Sequence, residues 1–433
     1  MSKKMEFDAN EGKFKTLRIS SLDEEEDDEA QVDEIDDPDL YNDEDEDDEE
    51  RVLVTFGFVE KPKNKWSLLR HYFPSKAGGT SAWLDPINLP SEKANLCDFC
   101  SEPLQFLLQV YAPLSEESTF HRTLFVFMCP SMTCLLRDQH EQCKRHPEKP
   151  CRSVKVFRCQ LPCTNLFYSS DAPHEDGIEQ PLTAGAKLCN WCGTWKGDKV
   201  CSSCREARYC SGKHQAAHWR SGHRIVAQKF YLQIVASNSL WPQYMITNED
   251  ECEFEQEMSD SEYSNALVSG NRVDESVKSL MDDFAGDDDK RSWSSFQEII
   301  SRAPEQVLRY CRSAKARALW PVYSGQPSRS DIPACNYCGG TRGFEFQTNF
   351  NYLGFIAVRK LLARLDYSNS HNQSGWKGSL MVLPQLLYYF GVQNDVDSLD
   401  WATIVVYTCE TSCKGEGYKE EFVWVQLASQ SAP

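Results

Sequence analysis

The sequence predicts a mainly β protein of the α+β class, with two similar ribbon-like half-domains and a compact module rich in cysteine and histidine between them. Three observations predict this organisation. Apolar runs of strand length are rich in β-branched and aromatic residues, a pattern of cysteine pairs occurs twice, and a dense Cys/His cluster separates the two copies. Two further segments are rich in Asp and Glu, and we expect both to be disordered.

The composition allows a buried core but not a membrane span. The 433 residues are 40% hydrophobic and 26% charged, and no run approaches the roughly 18 apolar residues that a membrane span requires. The start of the chain, Met1–Asp8, lacks the apolar stretch of a secretory signal. We therefore expect the 19 cysteines to be metal ligands or free thiols rather than disulfides.

The net charge of −20 comes from one segment. Residues 23–50 contain 20 Asp or Glu and no Lys or Arg, whereas the other 46 acidic residues equal the 46 Lys and Arg residues in number. Such a segment cannot bury enough apolar surface to offset the entropy of ordering, so residues 1–50 are predicted to be a disordered acidic tail. Two interpretations stay open: a solubilising tail, or an electrostatic contact for a basic partner.

The predicted elements follow the chain in order. A first strand is predicted within Arg51–Glu60 and more strand near Val154–Phe157. Apolar residues have helical spacing over Ser294–Arg312, where Pro304 interrupts the pattern. The predicted organisation is an acidic tail over 1–50, an N-terminal half-domain over 51–170, the Cys/His module over 186–230, a disordered acidic linker over 237–291 and a C-terminal half-domain over 292–430.

The repeated cysteine pattern predicts two metal sites. In each copy a Cys-x2-Cys pair precedes one strand, and a second strand runs into another pair of cysteines. This is the plan of a zinc ribbon, in which hairpin arms bring four thiolates to one tetrahedral metal ion. The predicted ligands are Cys97, Cys100, Cys129 and Cys134 in the first copy, and Cys335, Cys338, Cys409 and Cys413 in the second.

The central module predicts two more sites. Its two Cys-x2-Cys pairs are followed by a cysteine and several histidines, and sulfur and imidazole ligands at such short spacing favour zinc over calcium or magnesium. The order of these residues, with the Cys-x3-His-Gln step that starts at Cys210, resembles a MYND finger, which binds two zinc ions in a cross-braced arrangement. The resemblance implies one ion on Cys189, Cys192, Cys210 and His214, and another on Cys201, Cys204 and His223.

The second finger site departs from the MYND pattern. A MYND finger usually supplies a cysteine four residues after the last histidine, and this chain has Ala227 there. His218 and a water molecule are the two candidate replacements. A three-ligand zinc ion is the form that catalytic zinc takes, but no general base in a cleft is evident nearby. A weakened structural site is therefore the favoured interpretation.

The sequence carries no common enzyme motif. It has no GxxxxGK[ST], GxSxG or HExxH, no GxGxxG after a strand, and no asparagine-histidine-x-cysteine element of the SET methyltransferases. We expect a binding protein without enzymatic activity.

Residues 187–229 contain nine Lys or Arg against Asp198 and Glu206, but MYND fingers are mostly peptide-binding modules, so direct nucleic-acid binding is not expected. Because linkers tether the finger, we expect it to fold independently of the two halves.

Several stretches resemble the programmed cell death protein 2 family. They include Phe73–Gly79 (FPSKAGG), Leu96–Cys100 (LCDFC), Leu107–Pro113 (LLQVYAP) and Ile332–Cys338 (IPACNYC). The resemblance covers nearly all of residues 51–427 and includes the placement of a MYND finger between two half-domains. It implies that the two halves pack together into one twinned β body.

The resemblance also implies a function in ribosome biogenesis. Members of this family act as dedicated chaperones for a small-subunit ribosomal protein of the S-five class and escort it toward assembly of the 40S subunit. We therefore expect zinc as cofactor, a basic protein client, and a cytoplasmic location with shuttling into the nucleus. The acidic tail could cover the client's RNA-binding surface, and an exposed sheet edge could pair with an extended peptide. The alternative is a nuclear MYND adaptor that binds proline-rich peptides of transcription regulators.

One further departure from the family concerns residues 348–380. The family runs almost directly from a strand like Phe344–Gln347 into a segment like Pro384–Leu387, whereas about 33 residues intervene in this chain. A real surface insertion and untrimmed intron sequence in a predicted gene both account for the difference. A real insertion is expected to loop out and to leave the second ribbon site intact.

Overall fold

The computed structural model describes residues 53–90, 93–144, 151–169, 185–224, 241–256, 287–350, 386–392, 399 and 402–427. Four features predicted from sequence lie wholly or partly outside these residues: the acidic tail over 1–50, the position of Ala227, residues 237–240 and 257–286 of the predicted acidic linker, and residues 351–380 of the predicted insertion.

The described strands are β1 (Thr55–Glu60), β2 (Lys76–Ala77), β3 (Gln105–Tyr111), β4 (His121–Met128), β5 (Val154–Leu161), β6 (Lys199–Val200), β7 (Arg208–Tyr209), β8 (Tyr244–Asp250), β9 (Gln306–Tyr310), β10 (Arg342–Phe350), β11 (Ala402–Cys409) and β12 (Tyr418–Leu427). The described α-helices are α1 (Met132–Gln142), α2 (Gly212–His218), α3 (Glu251–Gln256), α4 (Asp287–Arg302) and α5 (Leu386–Tyr389), and a π-helical turn, Trp219–His223, follows α2.

Ten strands form one closed β-barrel, in the order β1, β8, β2, β3, β4, β5, β12, β11, β10, β9, and β9 pairs with β1 to close the ring. Each pairing in the barrel is antiparallel. The first half-domain supplies β1–β5 and the second supplies β9–β12. The prediction of a mainly β fold is confirmed, and the two halves share a single barrel.

The two cysteine repeats take equivalent places in this barrel. Strands β3, β4 and β5 of the first copy correspond to β10, β11 and β12 of the second, and the copies meet where β5 pairs with β12. Gln109 on β3 and Gln347 on β10 show the equivalence. Both side chains are buried, and each forms a hydrogen bond with the backbone of the loop that precedes its strand. Gln109 accepts a hydrogen bond from the N–H of Ala82 at 2.8 Å, and Gln347 accepts one from the N–H of Leu319 at 2.7 Å.

Buried apolar side chains lie on both faces of the central strands. On β4, Leu124 belongs to the interior of the barrel, whereas Phe125 faces an outer cluster of the first half. On β11, Ile404 belongs to the interior and Val405 to an outer cluster of the second half. Because successive side chains of a strand point to opposite faces, burial of both faces explains why these strands are continuous apolar runs in the sequence.

A buried ion pair joins the two halves inside the barrel. Arg122 on β4 contacts Glu345 on β10 through two N–O distances of 2.5 and 2.7 Å, and both side chains are 0% exposed. The hydroxyl of Tyr310 also donates to Glu345 at 3.0 Å. Arg312 also approaches this carboxylate, with an N–O distance of 3.5 Å. Loss of Arg122 would still take from Glu345 its fully buried partner, so the pair links the two halves.

Three predictions about elements need correction. The disordered linker predicted over 237–291 is wrong for Tyr244–Asp250, which forms β8 in the barrel, for Glu251–Gln256, which forms α3, and for residues 287–291, which begin α4. The helix predicted over Ser294–Arg312 ends at Arg302 as α4, and the next residues form β9. Pro304 lies between these two elements, where its missing N–H stops the helix. The strand β10 extends to Phe350, so the first residues of the predicted insertion belong to the barrel.

Candidate metal centres

The first ribbon site lies at one end of the hairpin β3–β4. The Sγ atoms of Cys97, Cys100, Cys129 and Cys134 all lie within 4.8 Å of one another. The distance between the sulfurs of Cys100 and Cys129 is 3.6 Å. A zinc–sulfur bond of about 2.3 Å places the sulfurs of a tetrahedral site about 3.8 Å apart, so this spacing suits zinc.

The second ribbon site has the same ligand set but is more open. Cys335, Cys338, Cys409 and Cys413 also lie within 4.8 Å of one another, and Cys338 is exposed. Two cationic side chains reach Cys413, the ammonium of Lys419 at 3.2 Å and the guanidinium of Arg158 at 3.6 Å. Such donors stabilise a thiolate. Sequence reasoning missed both residues, although Lys419 follows Cys413 closely in the chain.

One backbone turn builds each of the four Cys-x2-Cys pairs. The residue after the second cysteine has a positive φ, 58° at Ser101, 66° at Gly193, 58° at Arg205 and 75° at Gly339. Its N–H donates to the carbonyl of the first cysteine at 2.8 to 2.9 Å in all four turns. The turn aims both thiols at one point. Because only two of these positions are glycine, the sequence did not reveal this shared conformation.

Each ribbon site holds one thiol that ionises readily. The hydrogen bond from the Cys129 thiol lowers the pKa of Cys97 to about 5. Burial raises the pKa of Cys409. Hydrogen bonds from Thr411 and from backbone and thiol groups outweigh this effect and lower the pKa to about 6. The thiolate is the form that binds metal, so each site presents a ligand ready for an incoming ion at neutral pH.

The first finger site is fully buried. Cys189, Cys192, Cys210 and His214 lie within 4.8 Å of one another, with His214 on α2. The Nδ1 atom of His214 is 3.1 Å from the sulfur of Cys210. Three thiolates and one imidazole in a closed arrangement form a structural zinc site.

The second finger site brings together three predicted ligands. Cys201, Cys204 and His223 lie within 4.8 Å of one another, and the Nε2 atom of His223 is 3.4 Å from the sulfur of Cys204. His218, the candidate fourth ligand, stands outside this group. Its Nδ1 atom is 3.0 Å from the hydroxyl of Tyr209, and its ring stacks on that of His223 with centroids 4.6 Å apart.

The finger is docked on the barrel, so the interpretation of a tethered, independent module is wrong. Trp195 of the finger is 0% exposed, donates from Nε1 to the carbonyl of Leu104 at 2.8 Å, and packs on Phe127 of β4 with centroids 4.3 Å apart. In return, Trp83 donates to the carbonyl of Thr194 at 2.6 Å. The sequence did contain a signal for this contact. A small finger has too little core to bury a tryptophan by itself, so Trp195 indicates a surface outside the finger.

The donor sets support zinc as the cofactor. Fifteen of the sixteen predicted ligands come together in four groups, two with four thiolates, one with three thiolates and a histidine, and one with three described ligands. Sites with four Cys or His ligands leave no position for substrate, so their function is structural. Separately, none of the helices within the described ranges is long and apolar enough to cross a bilayer.

Comparison with known families covers most of the chain. The family model "Programmed cell death protein 2, N-terminal domain" matches residues 53–175, and the MYND finger model matches 189–226. The model "Programmed cell death protein 2, C-terminal putative domain" matches in two segments, 290–376 and 370–427, which meet within the predicted insertion.

Curated relatives are similar over nearly their whole length. Programmed cell death protein 2 of Bos taurus is 35% identical over 390 residues, which cover 87% of this chain and 97% of the relative. The protein of the same name from Rattus norvegicus is 36% identical over 394 residues, or 88% and 98% of the two chains. Programmed cell death protein 2-like of Homo sapiens is 24% identical over 383 residues, or 81% and 89%. No solved structure matches the chain.

Proposed function

The chain belongs to the programmed cell death protein 2 family, and from this membership we propose that it is a dedicated zinc-binding chaperone for a small-subunit ribosomal protein of the S-five class. It binds the newly made client and escorts it toward maturation of the 40S subunit. It acts in the cytoplasm, with shuttling into the nucleus, and it works as a binding protein without catalysis. The family is not a known family of enzymes, which supports this last point.

The separation of charge carries the proposal. Residues 23–50 contain 20 Asp or Glu, whereas the rest of the chain has no net charge. A ribosomal protein outside the ribosome exposes a basic surface that attracts polyanions nonspecifically. A strongly acidic segment attached to a rigid zinc-braced barrel can occupy that surface and still release it to RNA, because the attraction is electrostatic and screened by salt.

The barrel limits how a client peptide can bind. Two separate ribbons would each offer a free sheet edge for strand addition, but a closed barrel has no continuous edge. An extended peptide can therefore join the sheet only where the pairing of neighbouring strands is interrupted. This restriction favours a client contact made of a short specific segment together with a broad electrostatic contact.

The test is a binding experiment with purified proteins. The full chain is mixed with a recombinant S-five-class ribosomal protein and, as a control, with another basic small-subunit ribosomal protein of similar charge. We expect a stable complex, and protection from aggregation, with the first protein alone. Equal binding of both proteins, or of neither, would refute the proposal, and selective binding of proline-rich peptides would favour the nuclear adaptor instead.

A further inference from the structure

The two halves of the barrel meet along a short pairing of β5 with β12. Tyr418–Glu421 pair with Val156–Cys159, whereas β4 pairs with every residue of β5. We call these two paired segments the β5–β12 seam. The second ribbon site lies at one end of the seam, because its ligand Cys413 comes shortly before Tyr418 in the chain.

Side chains of the first half hold the ligand loop of the second ribbon. The amide of Gln160 on β5 donates to the carbonyl of Ser412 at 2.9 Å. The guanidinium of Arg158, also on β5, reaches the sulfur of Cys413 at 3.6 Å and pairs with Glu421 of β12 at 2.6 Å. The position of this loop therefore determines contacts that cross the seam.

The other ligand pair of this site also contacts the seam. Tyr337 lies between the two cysteines of the Cys335–Cys338 turn. Its hydroxyl accepts a hydrogen bond from the N–H of Glu420 at 2.8 Å, and the ammonium of Lys419 lies over its ring, 5.2 Å from the centroid. Both residues belong to β12 within the seam, so the second ribbon contacts the seam through both of its ligand pairs.

The backbone of the ligand loop is strained. Ser412 is buried and has a φ of 42°, in the left-handed region that disfavours residues other than glycine. Such a conformation persists only where the surroundings fix it. Here Cys409 and Cys413, on either side of Ser412, belong to one ligand group. Loss of the shared ion would let the loop relax and take the carbonyl of Ser412 away from Gln160.

One ligand of this site is open to solvent. Cys338 is exposed, and its sulfur is 3.6 Å from that of Cys409. By contrast, Lys419 and Arg158 lie against the sulfur of Cys413. In the first ribbon three ligands are buried and the fourth is half-buried. Because oxidation of a thiolate follows its exposure, an oxidant in solution reaches Cys338 before any ligand of the first ribbon.

We propose that the second ribbon is a redox switch, in which a peroxide oxidises Cys338 and Cys409 to a disulfide, releases the metal ion and loosens the β5–β12 seam. The first ribbon and the finger keep their ions under the same conditions. This inference goes beyond the proposed function, because it concerns the state of the barrel itself and does not depend on the identity of a client.

Hydrogen peroxide supplies the oxidising equivalents for this step. The thiolate of Cys338 attacks one peroxide oxygen, the O–O bond breaks and hydroxide leaves, which gives a sulfenic acid on Cys338. The thiolate of Cys409 then attacks that sulfur, an S–S bond forms and a second hydroxide leaves. Two thiolates lose two electrons, and one peroxide is reduced to two hydroxides. Only two of the four ligands remain available to the metal ion, so it is released.

The first experiment adds hydrogen peroxide in small steps to the zinc-loaded full chain. A colorimetric chelator follows zinc release, and mass spectrometry of peptides maps the disulfides. We expect the first zinc ion to leave together with formation of the Cys338–Cys409 disulfide, while the cysteines of the first ribbon stay reduced. A first disulfide within the first ribbon or the finger, or zinc release from all sites together, would overturn the proposal.

The second measurement tests the link between the site and the seam. Hydrogen–deuterium exchange of the oxidised chain should be severalfold faster in Val156–Cys159 and Tyr418–Glu421, and treatment with dithiothreitol and zinc should restore it. Tyr337→Phe removes the hydroxyl that accepts from Glu420 but no metal ligand, so it should speed exchange in the seam without peroxide and leave the zinc content unchanged.

Tyr323→Phe is the matched control, because Tyr323 is an exposed tyrosine of the same half and lies outside the seam. It should exchange as the unaltered chain does. If the oxidised chain keeps its normal exchange in the seam, or if Tyr337→Phe matches Tyr323→Phe, the second ribbon does not control the seam and the proposal is wrong.

Discussion

The two ribbon sites share a ligand set and a turn but differ in what covers them. The outer face of the first half, with Phe125 and Phe127, is covered by Trp195 of the finger. The equivalent face of the second half packs against Trp320, from the loop before its own knuckle. Cys338 of the second site is exposed, whereas no ligand of the first site is. A duplicated unit has therefore kept its metal chemistry while its two copies acquired different covers.

Loss of a ribbon ligand tests whether the shared barrel couples the halves, and it should have the largest effect. Structural zinc contributes about 10–16 kcal/mol in small domains, comparable to the whole stability of a typical protein. Because both halves form one barrel, Cys97→Ser and Cys335→Ser should each unfold the barrel as a unit. Thermal denaturation and elemental analysis check this, with four zinc ions expected for the unaltered chain from its four ligand groups. Native thermal stability in the double mutant, or one zinc ion or none in the unaltered chain, would contradict the assignment.

The buried ion pair tests the same coupling without touching the metal sites. Arg122→Met removes the fully buried partner of Glu345 and leaves only Arg312, whose guanidinium is 3.5 Å from the carboxylate. We therefore expect a loss of about 3 kcal/mol in the free energy of unfolding, at the low end for a broken buried pair. The double variant Arg122→Met with Glu345→Met should recover most of this loss, because both charges are then gone. Denaturant unfolding measures all three proteins. A double variant as unstable as the single one would show that the pair stabilises the barrel through something other than its charge.

The next prediction tests the contact between Trp195 of the finger and the barrel. Trp195→Ala removes a fully buried indole, which should cost about 3–5 kcal/mol in barrel stability and loosen the finger. Trp191→Ala, at a half-buried position of the same finger, is the control and should cost less. Zinc content should stay unchanged in both. An unaltered melting temperature for Trp195→Ala would restore the interpretation of the finger as an independent module.

The exposure of Cys338 predicts a difference in the rate of zinc loss. A chelator should remove the second ribbon's zinc before the first's, because solvent reaches an exposed thiolate more readily. Lys419→Met removes a cation from Cys413 and should speed this release severalfold. Zinc release followed with a colorimetric chelator gives the rates. Equal rates for the unaltered chain and the variant would show that the cation does not stabilise the site.

The sequence predicted the metal sites better than the architecture, for a physical reason. Cysteine spacing is a local signal, so the ligands of both ribbons could be grouped from the repeat without knowing the fold. The resemblance to a MYND finger grouped the ligands of the first finger site. Closure of the barrel depends on pairings such as β1 with β8 and β9, which are remote in the chain. The acidic residues at the end of β8 led to the wrong prediction of a disordered linker there. Glu249 and Asp250 nevertheless pair with β1, because strand pairing uses backbone groups that every residue except proline supplies. The docking of Trp195 likewise depends on a surface that forms only after folding.

The acidic tail contrasts with the barrel, and its removal should have the smallest effect on stability. Deleting residues 1–50 removes the predicted disordered tail, in which residues 23–50 contain 20 Asp or Glu, and leaves every strand of the barrel in place, so the melting temperature should stay the same. Client binding should weaken, and more at 0.01 M salt than at 0.15 M, because the Debye length falls from about 30 Å to about 8 Å between these conditions. If the deletion changes affinity at neither salt concentration, the tail only keeps the protein soluble and the client is recognised by the folded body.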